Sequence, residues 1–530
     1  IMKHIKYILL SAVVLGFTAC NDVEDVLEAN GVSVDTTTFP ELNAGDLDFS
    51  TYVALGASYT SGYSDGAVFK AAQEKSFPKL LATKFAAVGG GDFKQPLRND
   101  NTGGMLLNGV VSSAYRLIFN GAAPQRLNDF LTSNGLPVPP ITTDASEVIA
   151  GPFNNMGVPG AKSYTINYPG YGALDPDFGR MASSPGATIL GDAVSQNPTF
   201  FTVFGVGGND VLSYAYTGGI ATDQTGNTDP TTYSPIDITA PAVFNASYDA
   251  IVSQLTANGA KGALGNLPYV TVMPFFTTVP NDALVLDATQ AAGLTGVFQA
   301  VSGIFLQGAI LQGVPPAVAQ ALAAQYLIEF NEGPNRWIID VPVTQTNPLG
   351  FRQMTEDELV LLTIDQAALA EQGYGSVALT DDVLGVLGIL QAGGTPNPAQ
   401  AGLVLASVNG IDDGYVLDSD ELASIKNATD AYNSKVGELA SENGLALVDF
   451  KGLIDQGATG LTSGDFTLTT ALVTGGLFGL DGIHLTSRGY AFMANEFMKA
   501  LDSTYDTNFE ASGNLLDIGE YPTNYSPMLP

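Results

Sequence analysis

The chain has 530 residues, 45% hydrophobic and 14% charged, with a formal net charge of −33. That is a globular composition, long enough for one large domain with insertions or for two or three ordinary ones. The acidic balance argues against nucleic acid as a partner and against adsorption to anionic lipid, since both need clustered Lys and Arg; its plain reading is a solvated surface.

At the N-terminus, Lys3 and Lys6 precede the apolar run YILLSAVVLGFTA, which ends at Cys20. A basic start and an apolar run too short to cross a bilayer predict a signal peptide over 1–20. Cys20 is the only cysteine, so no intramolecular disulfide can form. With Phe17-Thr18-Ala19 before it, Cys20 resembles the lipobox cysteine of bacterial lipoproteins, although Phe17 stands where Leu is usual. The resemblance implies acyl chains on Cys20, each buried CH₂ adding about 0.8 kcal/mol of membrane affinity. The acidic NDVEDVLE that follows predicts a flexible stalk over 21–49 and resembles the export signals of surface-exposed Bacteroidetes lipoproteins. Together these imply a bacterial envelope protein, held on the outer membrane at its periplasmic or outer face.

Past the stalk, strand and helix patterns alternate. TYVALGAS (51–58) predicts a strand running into a turn, and SFPKLLATKFAAV (76–88) a helix. TFFTVFGVGGND (199–210) reads as a buried strand ending in glycines. APAVFNASYDAIVSQLTANG (240–259) reads as a helix closed by a left-handed glycine. KGALGNLP (261–268) is a short strand stopped by proline, 418–444 a long helix with an acidic first turn, and LALVDF (445–450) a strand. The last helix spans 486–501, with Thr486 its candidate cap. Near-continuous apolar strands between helices predict an α/β fold with a mainly parallel sheet. Two segments interrupt the alternation. Residues 92–150, rich in Gly, Asn and Pro, predict a few apolar helical turns. Residues 281–415, heavy in Ala, Leu and Gly, predict either a helical hairpin with its own small core or a cap whose apolar face lines a substrate cleft. No run there reaches about 18 apolar residues without Gly, Gln or Pro, so no membrane span is expected.

In an open parallel sheet, ligands bind beyond the carboxyl ends of the strands. Four glycine-flanked polar motifs fall where such ends belong: LGASYTSG (55–62), NNMGVPGA (154–161), GVGGND (205–210) and DGIHLTSRG (481–489). A serine at a strand-to-helix turn needs a base to become a nucleophile, and histidine suits that role near neutral pH. The sequence has two histidines, and His4 lies in the expected signal peptide, so His484 would be the one imidazole of a mature chain. Asp481 is three residues away and can fix its tautomer. The Ser58 N–H, the Gly160 N–H and the Asn209 amide are candidate donors to a developing oxyanion. Taken singly, each residue reads as a turn or loop residue; the combination carries the weight.

In order, GASY, the glycine of NNMGVPGA, GGND and DGIH resemble the four sequence blocks of the SGNH (GDSL-type) hydrolases. The resemblance covers about residues 50–505, leaving both insertions aside. It implies Ser58 as nucleophile, His484 as base, Asp481 as its orienting partner, and an oxyanion hole of Ser58, Gly160 and Asn209, with Gly157 a second candidate for the glycine. It also implies a flavodoxin-like three-layer α/β/α sandwich with a largely helical insertion (cap), and ester hydrolysis without a metal or other cofactor. The family's Gly-Asp-Ser is Gly-Ala-Ser here, so Ala57 replaces an acidic neighbour of the nucleophile. The acidic stretch NGIDDGYVLDSDE (409–421) lacks the ligand spacing of a calcium loop and reads as a solvated turn. The expected substrate is an acyl lipid or an acylated glycan. The apolar 281–330 region tilts the reading toward aliphatic acyl esters. Two alternatives remain open: a carbohydrate O-acetylesterase, for which Tyr59, Tyr63, Tyr214 and Tyr216 would line the cleft, and a surface binding lipoprotein that has lost activity.

Overall fold

The structure, a computed structural model, describes residues 39–529 apart from 372. Cys20, the expected signal peptide and most of the expected stalk lie outside the described residues. The chain divides into two units. One holds Ile1–Glu41 with Ala511–Gly513, and its described residues carry no helix or strand; the other holds Leu42–Glu510 with Asn514–Pro530. Everything below concerns the second.

Its centre is a sheet of β1 (Tyr52–Gly56), β2 (Asn155–Gly157), β3 (Phe200–Phe204), β4 (Lys261–Gly265) and β5 (Ala446–Val448). The order is β2-β1-β3-β4-β5, with every neighbouring pair parallel. β1 and β3 are buried along their whole length, which is why both read as unbroken apolar runs. The predicted strands at 51–58, 199–210, 261–268 and 445–450 are present. β2 was not foreseen as a strand: its Asn-Met-Gly is short and half polar, and only pairing with β1, Gly157 opposite Gly56, makes it one.

The helices follow the sequence signals closely. α1 (Ser58–Ser61) follows β1 directly, α2 (Phe77–Phe85) covers most of the predicted 76–88, and α3 (Gly208–Tyr216) follows β3. α4 (Pro241–Thr256) ends just before Gly259, whose φ is +84°. α5 (Ala288–Leu311), α6 (Pro316–Ala324), α7 (Asp381–Gln391) and α8 (Pro398–Leu405) belong to the long insertion. α9 (Ser419–Glu442) opens on a capping box in which the Asp418 carboxylate accepts from the Glu421 N–H and the Glu421 carboxylate from the Asp418 N–H. α10 (Phe450–Gly457) precedes the loops that lead to α11 (Ser487–Tyr505), which Thr486 caps by accepting from the Gly489 N–H at 2.9 Å. Phe77 of α2 stacks on Phe497 of α11 at 5.0 Å, and Phe244 of α4 on Tyr432 of α9 at 4.2 Å.

Four features differ from expectation. Residues 92–150 form two antiparallel ribbons, Met105–Leu107 with Val110–Ser113 and Leu117–Phe119 with Pro124–Arg126, and one short helix, Leu127–Ser133. The first ribbon turns at Asn108-Gly109, both at positive φ, a hairpin signal that the composition of the segment masked. The end of the expected stalk is packed: Phe49 is buried and stacks on Phe85 at 3.9 Å, because its apolar Leu47 and Phe49 have a core to enter. The tail after 505 is anchored too, with Phe509 and Ile518 buried and the Tyr525 hydroxyl bonded to the Ser487 Oγ. Finally, α5 is long and apolar enough, by length and composition, to cross a membrane, with mean hydropathy 1.6 in its best window and 28% of that window buried. Its glycines and glutamines interrupt the apolar run, and for that reason no span was expected.

Candidate active site

Gly56 ends β1 with no room for a side chain: a Cβ there would lie 2.1 Å from the Phe204 carbonyl oxygen and from the Thr60 Oγ1. The chain turns at Ala57 and Ser58 opens α1. As the first residue of a helix, Ser58 has an N–H with no partner one turn back. Its carbonyl accepts from the Tyr63 N–H at 3.1 Å and from the Ser61 hydroxyl at 2.8 Å, which holds the turn in shape. Ser58 is 7% exposed and lines a small cavity of about 30 Å³ with Phe204, Gly205, Asn209 and Met273. That is room for about one water molecule.

His484 and Asp481 meet as expected. The imidazole Nδ1 lies 2.9 Å from the Asp481 Oδ2. Asp481 is saturated: Oδ1 accepts from the Ile483 and His484 N–H groups at 2.9 Å each, and Oδ2 also accepts from the Gly66 N–H at 2.8 Å. Burial works to raise the pKa of this carboxyl, but the imidazole and the N–H donors outweigh it and hold it below the usual carboxylate range. An ionised Asp481 keeps the Nδ1 proton in place and turns Nε2 outward as the acceptor. Nε2 is buried and has no hydrogen-bond partner among the described residues. The ring is clamped by Tyr63 at 4.2 Å and Tyr59 at 5.5 Å, and the Tyr59 hydroxyl donates to the Ile483 carbonyl at 2.6 Å. Tyr59 lies within α1 and Tyr63 just after it, so the serine turn and the histidine loop are joined through them. No hydrogen bond links Ser58 to His484 here; such bonds commonly tighten only when substrate is bound.

Asn209 connects the two halves. It lines both the Ser58 cavity and a larger cleft of about 660 Å³ that His484 and Asp481 also line. Its side-chain amide donates one proton to the Ala161 carbonyl at 3.0 Å, which fixes the amide plane and leaves the second N–H to point elsewhere. Gly160 sits in the turn after β2 at φ +81°, exposed, and lines neither space. Gly157 is packed against α1: a Cβ there would lie 2.3 Å from the Ser61 nitrogen. Its N–H already donates to the Asn155 Oδ1 at 3.0 Å, so it is not free to meet an oxyanion.

Several residues with roles at the site were not singled out from sequence. Asp210, fully buried, accepts from the Ser163 N–H at 2.9 Å and its hydroxyl at 2.6 Å, tying the GGND turn to the loop that carries Gly160. Its only signal was its place in the motif. Asp65, at φ +52°, accepts from the Leu480 N–H at 2.9 Å beneath the histidine loop. Burial pushes its carboxyl up to about 7. Gly66 and Arg126 also line the cleft.

The cleft walls come from both insertions and the core: Leu117 and Arg126 from the first, Leu362, Thr363 and Gln366 from the second, and Tyr216 and Phe275 from the core. Tyr63 and Tyr216 line the cleft; Tyr214 is buried and does not line it. The expected apolar lining by the 281–330 helices is corrected. α5 lines two cavities apart from the cleft, of about 460 and 810 Å³, the larger shared with Leu322 of α6, because α5 packs on α6, α7 and α8 and not over the sheet edge. The tilt toward aliphatic acyl esters therefore loses its basis. Among the described residues, no group of three or more His, Cys, Asp or Glu side chains is placed to hold a metal ion. Comparison of the chain with family models, curated proteins and solved structures gives no significant match.

Proposed function

We propose that the protein is a serine-dependent ester hydrolase of the SGNH (GDSL-type) kind. The observation that carries this is the His484–Asp481 pair, whose buried Nε2 lacks a partner and which shares a cleft with Asn209, itself beside Ser58. The strand order β2-β1-β3-β4-β5 supports a flavodoxin-like arrangement, in which the crevice beyond β1 and β3 is the expected ligand site. In the reaction, the Ser58 Oγ attacks the acyl carbon while His484 Nε2 takes its proton. The tetrahedral oxyanion is met by the Ser58 N–H and the free Asn209 N–H, while Gly160, which lines neither space, takes no part in the step. Collapse passes the proton from Nε2 to the departing alcohol and leaves an acyl group on Ser58. Water, deprotonated by the same nitrogen, then releases the acid. Anchoring through acyl chains on Cys20, at the bacterial envelope, belongs to the same proposal.

A second reading within this chemistry has support of its own. Tyr63, Tyr216 and Phe275 line the cleft, and flat aromatic walls suit a sugar ring, which favours a carbohydrate O-acetylesterase. Covalent labelling by a fluorophosphonate tests the class: labelling of the wild type, absent in Ser58→Ala and in His484→Ala, supports a hydrolase. A folded wild-type protein that takes no label would leave a binding lipoprotein as the better account.

A further inference from the structure

We infer that Arg126 selects esters that carry a carboxylate near the scissile bond; this rests on the proposed hydrolase reading. Arg126 closes the ribbon Leu117–Phe119 with Pro124–Arg126 and lines the cleft with Tyr63, Gly66 and His484. It is the only lysine or arginine among the residues that line the cleft, and Asp481 is the only carboxylate. Asp481 is already saturated by four donors.

The guanidinium uses one nitrogen. Its Nη1 donates to the Tyr115 carbonyl at 2.7 Å and, weakly, to the Gly66 carbonyl at 3.5 Å. Nε and Nη2 make no hydrogen bond among the described residues, and no carboxylate pairs with Arg126 there. Arg98 and Arg352, by contrast, are held by Asp177 and Glu358 at 2.5 Å each. A chain with 53 acidic and 20 basic side chains leaves this cation unneutralised beside its histidine. The field of Arg126 reaches across the cleft, where it favours ionisation of the Tyr63 and Tyr216 phenols, though burial outweighs it at both.

The placement is close to the chemistry. Gly66 donates its N–H to Asp481 and its carbonyl accepts from Arg126, so a single residue bridges the guanidinium and the Asp481 carboxylate. The chain's net charge of −33 repels an anionic substrate, and a local cation with free donors offsets that repulsion where the ester is processed. Arginine's planar fork suits a carboxylate in particular.

The test compares 4-nitrophenyl butyrate with 4-nitrophenyl hemiglutarate, and phenyl acetate with 4-acetoxybenzoate, so that the carboxylate is placed first on the acyl side and then on the alcohol side. In at least one pair, wild type prefers the charged ester, and Arg126→Gln lowers the charged-to-neutral ratio of kcat/KM by about tenfold to a hundredfold. The loss falls mainly on KM, Arg126→Lys restores part of it, and added salt erodes the wild-type preference. Free glutarate inhibits wild-type butyrate hydrolysis competitively while glutaramide does not, a measurement that needs no variant. Hydrolysis of the neutral esters with no preference in either pair, and no inhibition by glutarate, would overturn the role of Arg126 alone. Failure of wild type to hydrolyse any of the four would overturn the hydrolase reading and this one with it.

Discussion

The sheet edge and the long insertion are built from opposite materials. At the sheet edge, buried polar groups are paired to backbone and to each other: Asp481 with four donors, Asp210 with Ser163, Tyr59 with Ile483. In the insertion the core is apolar, with Phe298, Val301, Tyr326, Ile338 and Phe351 together, and no charged residue occurs between Ala288 and Ile328. The first region fixes directions, since hydrogen bonds are angular; the second fixes volume, since apolar contacts are not. The contrast teaches that the insertion's bulk is not its contribution to the cleft. Only Leu362, Thr363 and Gln366 reach it.

Substitutions sharpen the contrast. Ser58→Ala abolishes ester hydrolysis, a fall in kcat of about 10⁴-fold or more, with the melting temperature unchanged. Phe298→Ala, in the core of the insertion, costs about 3–5 kcal/mol in denaturant unfolding and leaves kcat for short esters near wild type. Equal losses of activity in the two variants would erase the distinction. If Asn209 serves as the proposed oxyanion donor, Asn209→Ala lowers kcat by about 10²–10³-fold with little change in KM.

A smaller effect is read in pH. Burial pushes Asp65 up to about 7, and burial with the neighbouring Asp418 carboxylate pushes Glu421 up to about 8 although the Asp418 N–H opposes them. An acid whose folded pKa lies above its unfolded one binds more protons folded, so its stabilisation is full in acid and is lost as pH rises through 7–8. The melting temperature therefore falls between pH 5.5 and 8.5, and Asp65→Asn flattens part of that slope. Asp481 acts in the opposite sense, its lowered pKa giving stability that disappears only in strong acid. Smallest of all, Leu311→Ser on the outer end of α5, where Leu311 is 87% exposed, shifts stability by less than about 0.5 kcal/mol.

Much of this was legible in the chain because the signals are local. Strand ends with glycines, the acidic first turn of α9 and the three-residue spacing of Asp481 and His484 each declare themselves within a few residues. β2 did not, since Asn155-Met156-Gly157 becomes a strand only by pairing with β1. Asp65 and Arg126 take their roles from partners distant in sequence, so nothing nearby marks them, and Asp210 is marked only by its place in GGND. The placement of α5 and α6 misled for a related reason: apolar composition says that a helix is covered, not by what.

The order of the sheet also dictates an order of assembly. β4 pairs with β3 early but gains its second neighbour only when Ala446 arrives opposite Ala263, whereas the apolar core of the insertion, from Leu284 to Val408, is drawn wholly from the intervening stretch. A chain emerging from its N-terminus thus has the serine from the outset and the histidine almost at the end. On the proposed reading, an incomplete chain would carry a nucleophile without its base, and ester hydrolysis would begin only once synthesis had passed residue 484.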